Sequence, residues 1–288
     1  MQLGQLYQET LEILLLAGIE EARSDAEQLL GFCLGLTRSQ LFLHGSKELS
    51  GPELVRCRKL VSRRLAREPL QYITGTREFW SLEFVVSPAV LIPRPETEFL
   101  LEQVLHTLAG SGYGGGPILD MCTGSGVISV VLARELEAKE VIAVDSSPEA
   151  LGIAARNIKR HEKIKEIGLV CADLFSALNP HHRFELIVAN PPYIREGDLA
   201  RLQPEVRRWE PPGALAAGKE GLDVIRRLAD EVPGHLLPGG WLFIEIGSDQ
   251  KDTVEAIFSN HRSGAYECVD IIDDWSNRPR VLKAQRKR

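Results

Sequence analysis

The chain has 288 residues, enough for one large domain or for two unequal ones. Its 44% apolar and 26% charged residues are those of an ordinary globular protein, and a net charge of -6 excludes a global electrostatic case for nucleic-acid binding. Cys33, Cys57, Cys122, Cys171 and Cys268 are scattered, with no CxxC pair, which argues for reduced thiols, a cytoplasmic setting and no metal site. The opening MQLGQLYQETLEILLLAG has no basic residue ahead of its apolar stretch, and Glu9 and Glu12 interrupt it, so it reads as an amphipathic helix and not a secretory signal. No run reaches the roughly 18 apolar residues of a membrane span. The tail carries Arg278, Arg280, Lys283, Arg286, Lys287 and Arg288 and reads most simply as a solvated, frayed terminus, with a local basic patch as the other reading.

Residues 1–71 read as helices only. Leu6, Leu11, Leu14 and Leu15 recur at helical spacing, and Gly18 closes that helix. Ser24-Asp25-Ala26-Glu27 has the form of a capping box for a second helix. A third helix is expected over 38–44. Ser50-Gly51-Pro52-Glu53 repeats the capping logic with proline near the start of a fourth. Arg56, Arg58, Lys59, Arg63, Arg64 and Arg67 make that helix basic. Its simplest reading is a solvated face; the other is a docking surface for an acidic or RNA-bound partner.

Residues 72–92 form a linker. Phe79-Trp80-Ser81-Leu82-Glu83-Phe84-Val85-Val86 reads as a short hairpin. Pro93 and Pro95 then stiffen the approach to a helix at Glu96-Thr97-Glu98. Residues 93–288 form the larger domain, in which strands and helices alternate. Strands are expected at 117–120, 141–145, 169–172, 184–189 and 239–245, with two more near 266–269 and 280–284. Helices are expected over 127–136, from the Ser147-Pro148-Glu149 cap to about 161, and over 222–236. Parallel strands joined by crossover helices predict an α/β doubly wound sheet, with ligands at the strand C-termini.

Asp120-Met121-Cys122-Thr123-Gly124-Ser125-Gly126 lies between the first of these strands and its helix. Glycines there let the backbone approach a ligand closely. The loop is not a Walker A loop, since no Gly-Lys-Ser/Thr follows, and not GxGxxG, since only Gly124 and Gly126 are present. That favours a ligand without a pyrophosphate. Asp145 ends the next strand, 19 residues beyond Gly126, where an acid can accept both ribose hydroxyls of an adenosine group. Asp173-Leu174-Phe175 ends the third strand and offers an adenine-edge contact and an aromatic wall; for Phe175 the alternative is plain core packing. Cys122 reads as a small buried loop residue, not a reactive thiol.

Asn190-Pro191-Pro192-Tyr193 directly follows the fourth strand. Two prolines fix φ and hold Asn190 away from helical geometry. The Asn190 carbonyl can accept a hydrogen bond from an NH2 group, and a nearby main-chain carbonyl can accept the second hydrogen. This orients a nitrogen lone pair toward an electrophilic methyl. Catalysis by alignment needs no strong general base. Tyr193 offers a flat face to a planar amide or base.

This combination resembles the Asn-Pro-Pro-Tyr class of AdoMet-dependent methyltransferases. Glu68-Pro69-Leu70-Gln71-Tyr72-Ile73, Phe79-Trp80-Ser81-Leu82 and Leu91-Ile92-Pro93-Arg94-Pro95-Glu96-Thr97-Glu98 are similar to the N5-glutamine methyltransferases of peptide chain release factors. The resemblance extends over nearly the whole chain. It implies a Rossmann-like class I methyltransferase sheet with a small all-helical N-terminal domain that helps recognise the substrate protein. It implies S-adenosyl-L-methionine as methyl donor, S-adenosyl-L-homocysteine as product, and class 1 release factors as partners, modified on the Gly-Gly-Gln glutamine. The implied cofactor residues are Cys122, Thr123, Gly124, Ser125, Gly126, Asp145, Phe175 and Asn190, with Arg94, Glu96 and Thr97 folding over the site. Asn190, Pro191 and Tyr193 are the implied catalytic residues, and Pro192 joins them in holding the glutamine. A monomer is expected. One departure stands out: the family's loop usually has glycine where this chain has Cys122.

The competing reading is N6-adenine or N2-guanine methylation of nucleic acid, whose enzymes share the acceptor motif. A DNA enzyme must extrude its base and often carries a separate recognition region. Here the segment between acceptor loop and fifth strand is short and the chain is acidic. A non-catalytic scaffold would need a broken acceptor loop, and a nicotinamide dehydrogenase would need the missing GxGxxG.

Overall fold

The computed structural model describes residues 1–111 and 113–288. The chain forms two compact units, Met1–Thr76 with Gln203–Trp209, and Arg77–Leu202 with Glu210–Arg288. Among the described residues no helix is long and apolar enough to cross a membrane.

The first unit begins with α1 (Leu3–Leu16), α2 (Ala22–Leu34), α3 (Arg38–Leu43), α4 (Gly51–Leu65) and α5 (Leu70–Thr74). Leu3, Leu6, Tyr7 and Leu14 of α1 pack with Ala26 and Leu30 of α2, Leu41 of α3 and Cys57 of α4. Leu15, expected on the same face, is exposed. Adjacent helical residues are about 100° apart, so Leu15 cannot share the face of Leu14. The Ser50 capping box forms: the Ser50 N–H donates to Glu53 Oε2 at 2.8 Å, and the Glu53 N–H donates to Ser50 Oγ at 3.4 Å. The Ser50 backbone N–H, then its hydroxyl and Lys47, hold the Glu53 carboxyl down to about 2.

The box expected at Ser24 does not form. The second helix starts earlier, with Glu21 at its N-cap and no side-chain cap. The polar side chains of 24–27 have other partners. Asp25 is buried and accepts from Arg64 Nε at 2.6 Å, Glu27 is buried against Arg38 and the Tyr7 hydroxyl, and Ser24 Oγ accepts from Gln28. The basic helix is also less free than its composition suggests. Arg58 pairs with Glu9 and Arg63 with Glu68. Arg64 and Arg67 both reach Glu205, at 2.9 and 3.0 Å. Arg56, Arg58 and Lys59 are the exposed members that fit the reading of a solvated face.

The second unit opens with a hairpin, β1 (Thr76–Phe79) and β2 (Leu82–Val85). Its two turn residues, Trp80 and Ser81, have φ of +54° and +55°, as a two-residue turn matched to strand twist requires. The Trp80 N–H donates to Glu98 at 2.7 Å and its indole N–H to Glu135 at 3.1 Å, which holds this glycine-free turn in place. Then come α6 (Pro95–Ser111), β3 (Ile118–Met121), α7 (Val127–Glu135), β4 (Val141–Asp145), α8 (Pro148–Arg160), β5 (Ile167–Cys171) and β6 (Phe184–Ala189). The chain next supplies α9 (Pro204–Trp209), the segment that belongs to the first unit. It returns for α10 (Asp223–Glu231), β7 (Leu236–Glu245), α11 (Lys251–Ser259), β8 (Tyr266–Asp273) and β9 (Pro279–Arg286).

Seven strands form one sheet in the order β5-β4-β3-β6-β7-β9-β8. The first five are parallel, and β9 runs antiparallel to both its neighbours. Every residue of β3 is buried, as expected for a strand covered on both faces. The chain builds outward from β3 to β5 and then returns to lay β6 on the other side of β3. That reversal opens a crevice beyond the strand C-termini. The helix expected over 222–236 stops at Glu231. Pro233 follows in a 3-10 turn, where it cannot donate to the helical ladder. The helix α11, with Val254 and Phe258 on its buried face, was not read from the sequence.

Arg64 and Asp25 are 7% and 5% exposed, and Glu205 completes the cluster. Replacing Arg64 with Leu strands Asp25 without a counter-charge. The expected loss is about 3–5 kcal/mol of unfolding free energy, measured by urea titration. A loss below about 1 kcal/mol would show that this pairing does not stabilise the helical unit.

Candidate functional site

The C-termini of β3, β4, β5 and β6 line a cavity of about 300 Å³. Met121 to Ser125, Val144 to Ser147, Ala172 to Leu174, Asn190 and Pro192 come from the strand ends. Ala89 to Leu91, Pro93 and Thr97 form a second wall, and Pro211, Gly213, Ala214 and Ala216 a third.

The loop after β3 is folded by a buried carboxylate. Asp120 Oδ2 accepts from Thr123 Oγ1 at 2.6 Å, Ser129 Oγ at 2.5 Å and the Ser129 N–H at 3.0 Å. Asp120 is 0% exposed, and burial pushes its carboxyl up to about 6 against those hydrogen bonds. Cys122 has φ +63°, a left-handed backbone where glycine carries no Cβ cost. Its thiol is pushed up, first by burial and then by Asp145, Asp120 and Asp173, so it stays protonated. Gly124 has φ +55°, and a Cβ there would stand in open space at the cavity wall. Gly126, φ +81°, begins α7 so close to α8 that a Cβ would lie 3.2 Å from the Ala154 Cβ. Asn157, fully buried on α8, donates to the Ser125 carbonyl at 2.8 Å and the Val85 carbonyl at 3.0 Å, tying loop to hairpin.

Asp145 closes β4 and holds the same loop. One oxygen accepts from the Gly124 N–H and the other from the Ser147 N–H, each at 2.9 Å. Asp173 lines the cavity beside Leu174 and pairs with Arg227 at 2.8 Å. Phe175 does not line it. Its ring stacks on His235 at 4.7 Å inside the core, and Leu174, with φ +48°, takes the place at the wall. The core-packing alternative for Phe175 is therefore the observed one.

The acceptor segment is held from behind. Asn190 Nδ2 donates to Thr97 Oγ1 at 3.0 Å, and Thr97 Oγ1 donates to Glu245 Oε2 at 2.7 Å. The Tyr193 hydroxyl donates to the other Glu245 oxygen at 3.3 Å, and burial pushes that hydroxyl up. Burial also pushes the Glu245 carboxyl up, opposed by Thr97, Arg280 and Tyr193. The Tyr193 carbonyl accepts from Gln250, and Ile194 pairs with the 215–217 segment through two backbone hydrogen bonds at 2.9 Å. Pro191, Tyr193, Arg94, Glu96 and Gly126 do not line the cavity. Arg94 instead bonds buried Glu210 at 2.5 Å, joining the wall at 89–97 to the wall at 211–216.

Three features escaped the sequence reading: the 89–91 wall, the 211–216 wall and Glu245. Only Glu245 left a signal, as the acid that closes an apolar strand just as Asp120 and Asp145 close theirs. Among the described residues no cluster of His, Cys, Asp and Glu can hold a metal ion.

The Asp120 carboxyl gives a pH test. Between its ordinary value of 3.8 and about 6, the folded chain keeps a proton that the unfolded chain has lost. The stability tied to this group is therefore present at low pH and disappears as pH rises through about 6. Across that window Asp120→Asn should gain stability relative to the unsubstituted chain, in urea titrations run at several pH values. A constant difference would contradict the buried, neutralised carboxyl.

Residues 5–75 match the family model for the PrmC N-terminal domain, and residues 95–203 that for the methyltransferase small domain. The release factor glutamine methyltransferase of Geobacter sulfurreducens is 46% identical over 256 residues, 89% of this chain and 87% of that protein. That of Koribacter versatilis is 41% identical over 98% of both chains. The Thermus thermophilus 16S rRNA N2 G1207 methyltransferase, solved with AdoMet and guanosine, superposes with a TM-score of 0.54 at 20% identity. That match covers 74% of this chain and 50% of that one and shows the fold alone. The helical unit, the doubly wound sheet and near-full-length identity to these relatives agree: this chain belongs to the release factor glutamine methyltransferase family.

Proposed function

We propose that this chain transfers a methyl group from S-adenosyl-L-methionine to the side-chain amide nitrogen of the glutamine in the Gly-Gly-Gln motif of class 1 peptide chain release factors. The observation that carries the site assignment is the single cavity shared by Asp145, Gly124, Thr97 and Asn190. When bound, the cofactor supplies a methyl group on a sulfonium, so the nitrogen gains the methyl and gives up one proton while a neutral thioether leaves.

The lining suits that ligand. Asp145 and Asp173 put negative charge beside a molecule that carries a positive sulfonium and ammonium. Asp145 can accept ribose hydroxyls while keeping its hold on the loop, because each oxygen has a second lone pair. Apolar Leu174, Val144, Val224 and Ile128 offer walls for a flat base. Asn190 presents a carbonyl to the amide nitrogen of the substrate. The Pro191-Pro192 backbone fixes the place of Asn190, so the loop contributes alignment and not proton transfer. Tyr193 acts through Glu245 and not as an exposed stacking face. Arg94 and Glu96 act in closing the wall over the site.

We infer that the helical unit helps hold the release factor and that the chain works in the cytoplasm, as five free cysteines favour. Nucleic-acid methylation is the second reading, because an rRNA methyltransferase shares the fold. Near-full-length identity to release factor enzymes favours the first. A mixture of protein, labelled cofactor, unmethylated release factor, unmodified DNA and unmodified rRNA separates the two. Label is expected in the release factor, and label in nucleic acid alone counts for the second reading and would overturn the proposal.

Two substitutions test the site. Asp145→Ala should weaken cofactor binding by about 1.5–3 kcal/mol in calorimetry, since it removes charge-assisted hydrogen bonds; unchanged affinity would place the ribose contact elsewhere. Asn190→Ala should lower kcat by about a hundredfold with a smaller effect on cofactor affinity. Surviving turnover would refute alignment by Asn190.

A further inference from the structure

Glu245 is a buried carboxylate, 1% exposed, that stands behind the acceptor segment and does not line the cavity. It ends β7 and does not itself line the cavity, but it is bonded to the side chain of Thr97, which does line it, and to that of Tyr193. Its Oε2 accepts the Thr97 hydroxyl proton at 2.7 Å, and its Oε1 accepts the Tyr193 hydroxyl proton at 3.3 Å. Thr97 Oγ1 in turn accepts from Asn190 Nδ2 at 3.0 Å.

A hydroxyl has one proton. With that proton committed to Glu245, Thr97 has only lone pairs to offer Asn190. The end of the Asn190 amide that faces Thr97 must then be its NH2. The carbonyl end is turned away from Thr97 and left to accept from a substrate NH2. A partner at 245 that donated to Thr97 would let the hydroxyl rotate and give its proton to Asn190 Oδ1. The amide would then flip and present its own NH2 to the NH2 of the substrate, donor against donor.

We propose that Glu245 is a positioning residue for methyl transfer: acting through the single Thr97 proton, it sets which end of the Asn190 amide faces the substrate nitrogen. This rests on the reading of Asn190 as the residue that accepts from that nitrogen. Burial pushes the Glu245 carboxyl up and Glu96 adds to that; the Thr97 hydroxyl, Arg280, which is 9% exposed and bonded to Asp274 and the Ile246 carbonyl, and the Tyr193 hydroxyl oppose it. Tyr193 adds a second donor, so both oxygens are held and the carboxylate cannot turn away from Thr97.

The test is steady-state methylation of an unmethylated class 1 release factor by the full chain, with AdoMet affinity measured separately. Glu245→Gln keeps shape and removes the charge, and its amide can donate to Thr97. The expected result is a kcat lowered about tenfold to a hundredfold with a much smaller change in AdoMet affinity, since Glu245 reaches the cavity only through Thr97. Thr97→Val should lose a similar factor, and Thr97→Ser, which keeps the hydroxyl, should recover most of it. The double variant Glu245→Gln with Thr97→Val should be no slower than Thr97→Val alone, because the first residue acts only through the second. An unchanged kcat in Glu245→Gln, or losses that multiply in the double variant, overturns the proposal while leaving Asn190 in its role. Turnover surviving in Asn190→Ala removes the underlying reading and this inference with it. If Glu245→Gln does not fold, the Thr97 pair decides: equal losses in Val and Ser overturn the relay.

Discussion

The site depends on a buried carboxylate at the end of a parallel strand. Asp120 has no solvent, and its three hydrogen bonds go to the loop and helix that follow it. Those bonds coil residues 121–126 tightly enough to require left-handed backbone at Cys122, Gly124 and Gly126. The coil in turn points the Gly124 N–H at Asp145, so two adjacent strand ends share one loop. Every wall of the cavity is then placed relative to β3 and β4. The helix packing that makes this possible would put a Cβ at Gly126 in tight contact with Ala154, at 3.2 Å, on a backbone with φ +81°.

Both halves of the site use acids in different ways. Asp145 and Asp173 lie at the wall, where negative charge meets a cationic ligand. Asp120 and Glu245 lie behind it, fully buried, and organise neighbours instead of touching the ligand. Burial raises both of these carboxyls, and hydrogen bonds from Ser, Thr and Tyr hydroxyls resist that rise. Buried hydroxyls here act as directional relays, since each can donate only once. Cys122 carries a Cβ at positive φ, a backbone cost of about 1–2 kcal/mol that the surrounding packing must offset.

The elements nearest the chemistry were the most legible. The strand at 184–189, the extended Asn190-Pro191-Pro192 segment and Asp145 appear where their residue types require them, because short-range sterics and strand termination decide their geometry. The hairpin at Phe79 to Val85 was likewise visible in local pattern. Ser24 misled because a capping box is a local signal, and Asp25 and Glu27 found stronger distant partners in Arg64 and Arg38. The charge run on α4 misled for the same reason: Glu9, Asp25 and Glu205 are far from it in sequence but pair with it in space.

By itself the sequence determined the succession of the sheet strands and most of the helices between them, and it singled out the three strand-end loops that carry Gly124, Asp145 and Asn190. Periodicity, proline stereochemistry and side-chain type are local properties that survive without a fold. The tertiary structure alone decided that Phe175 turns into the core, that Arg94 bridges two walls, and that Glu245 stands behind Asn190. The last of these spans 148 residues of chain between Thr97 and Glu245. A hydrogen bond at that separation exists only because the start of α6 and the end of β7 are packed together in the same unit, and no local pattern records that proximity.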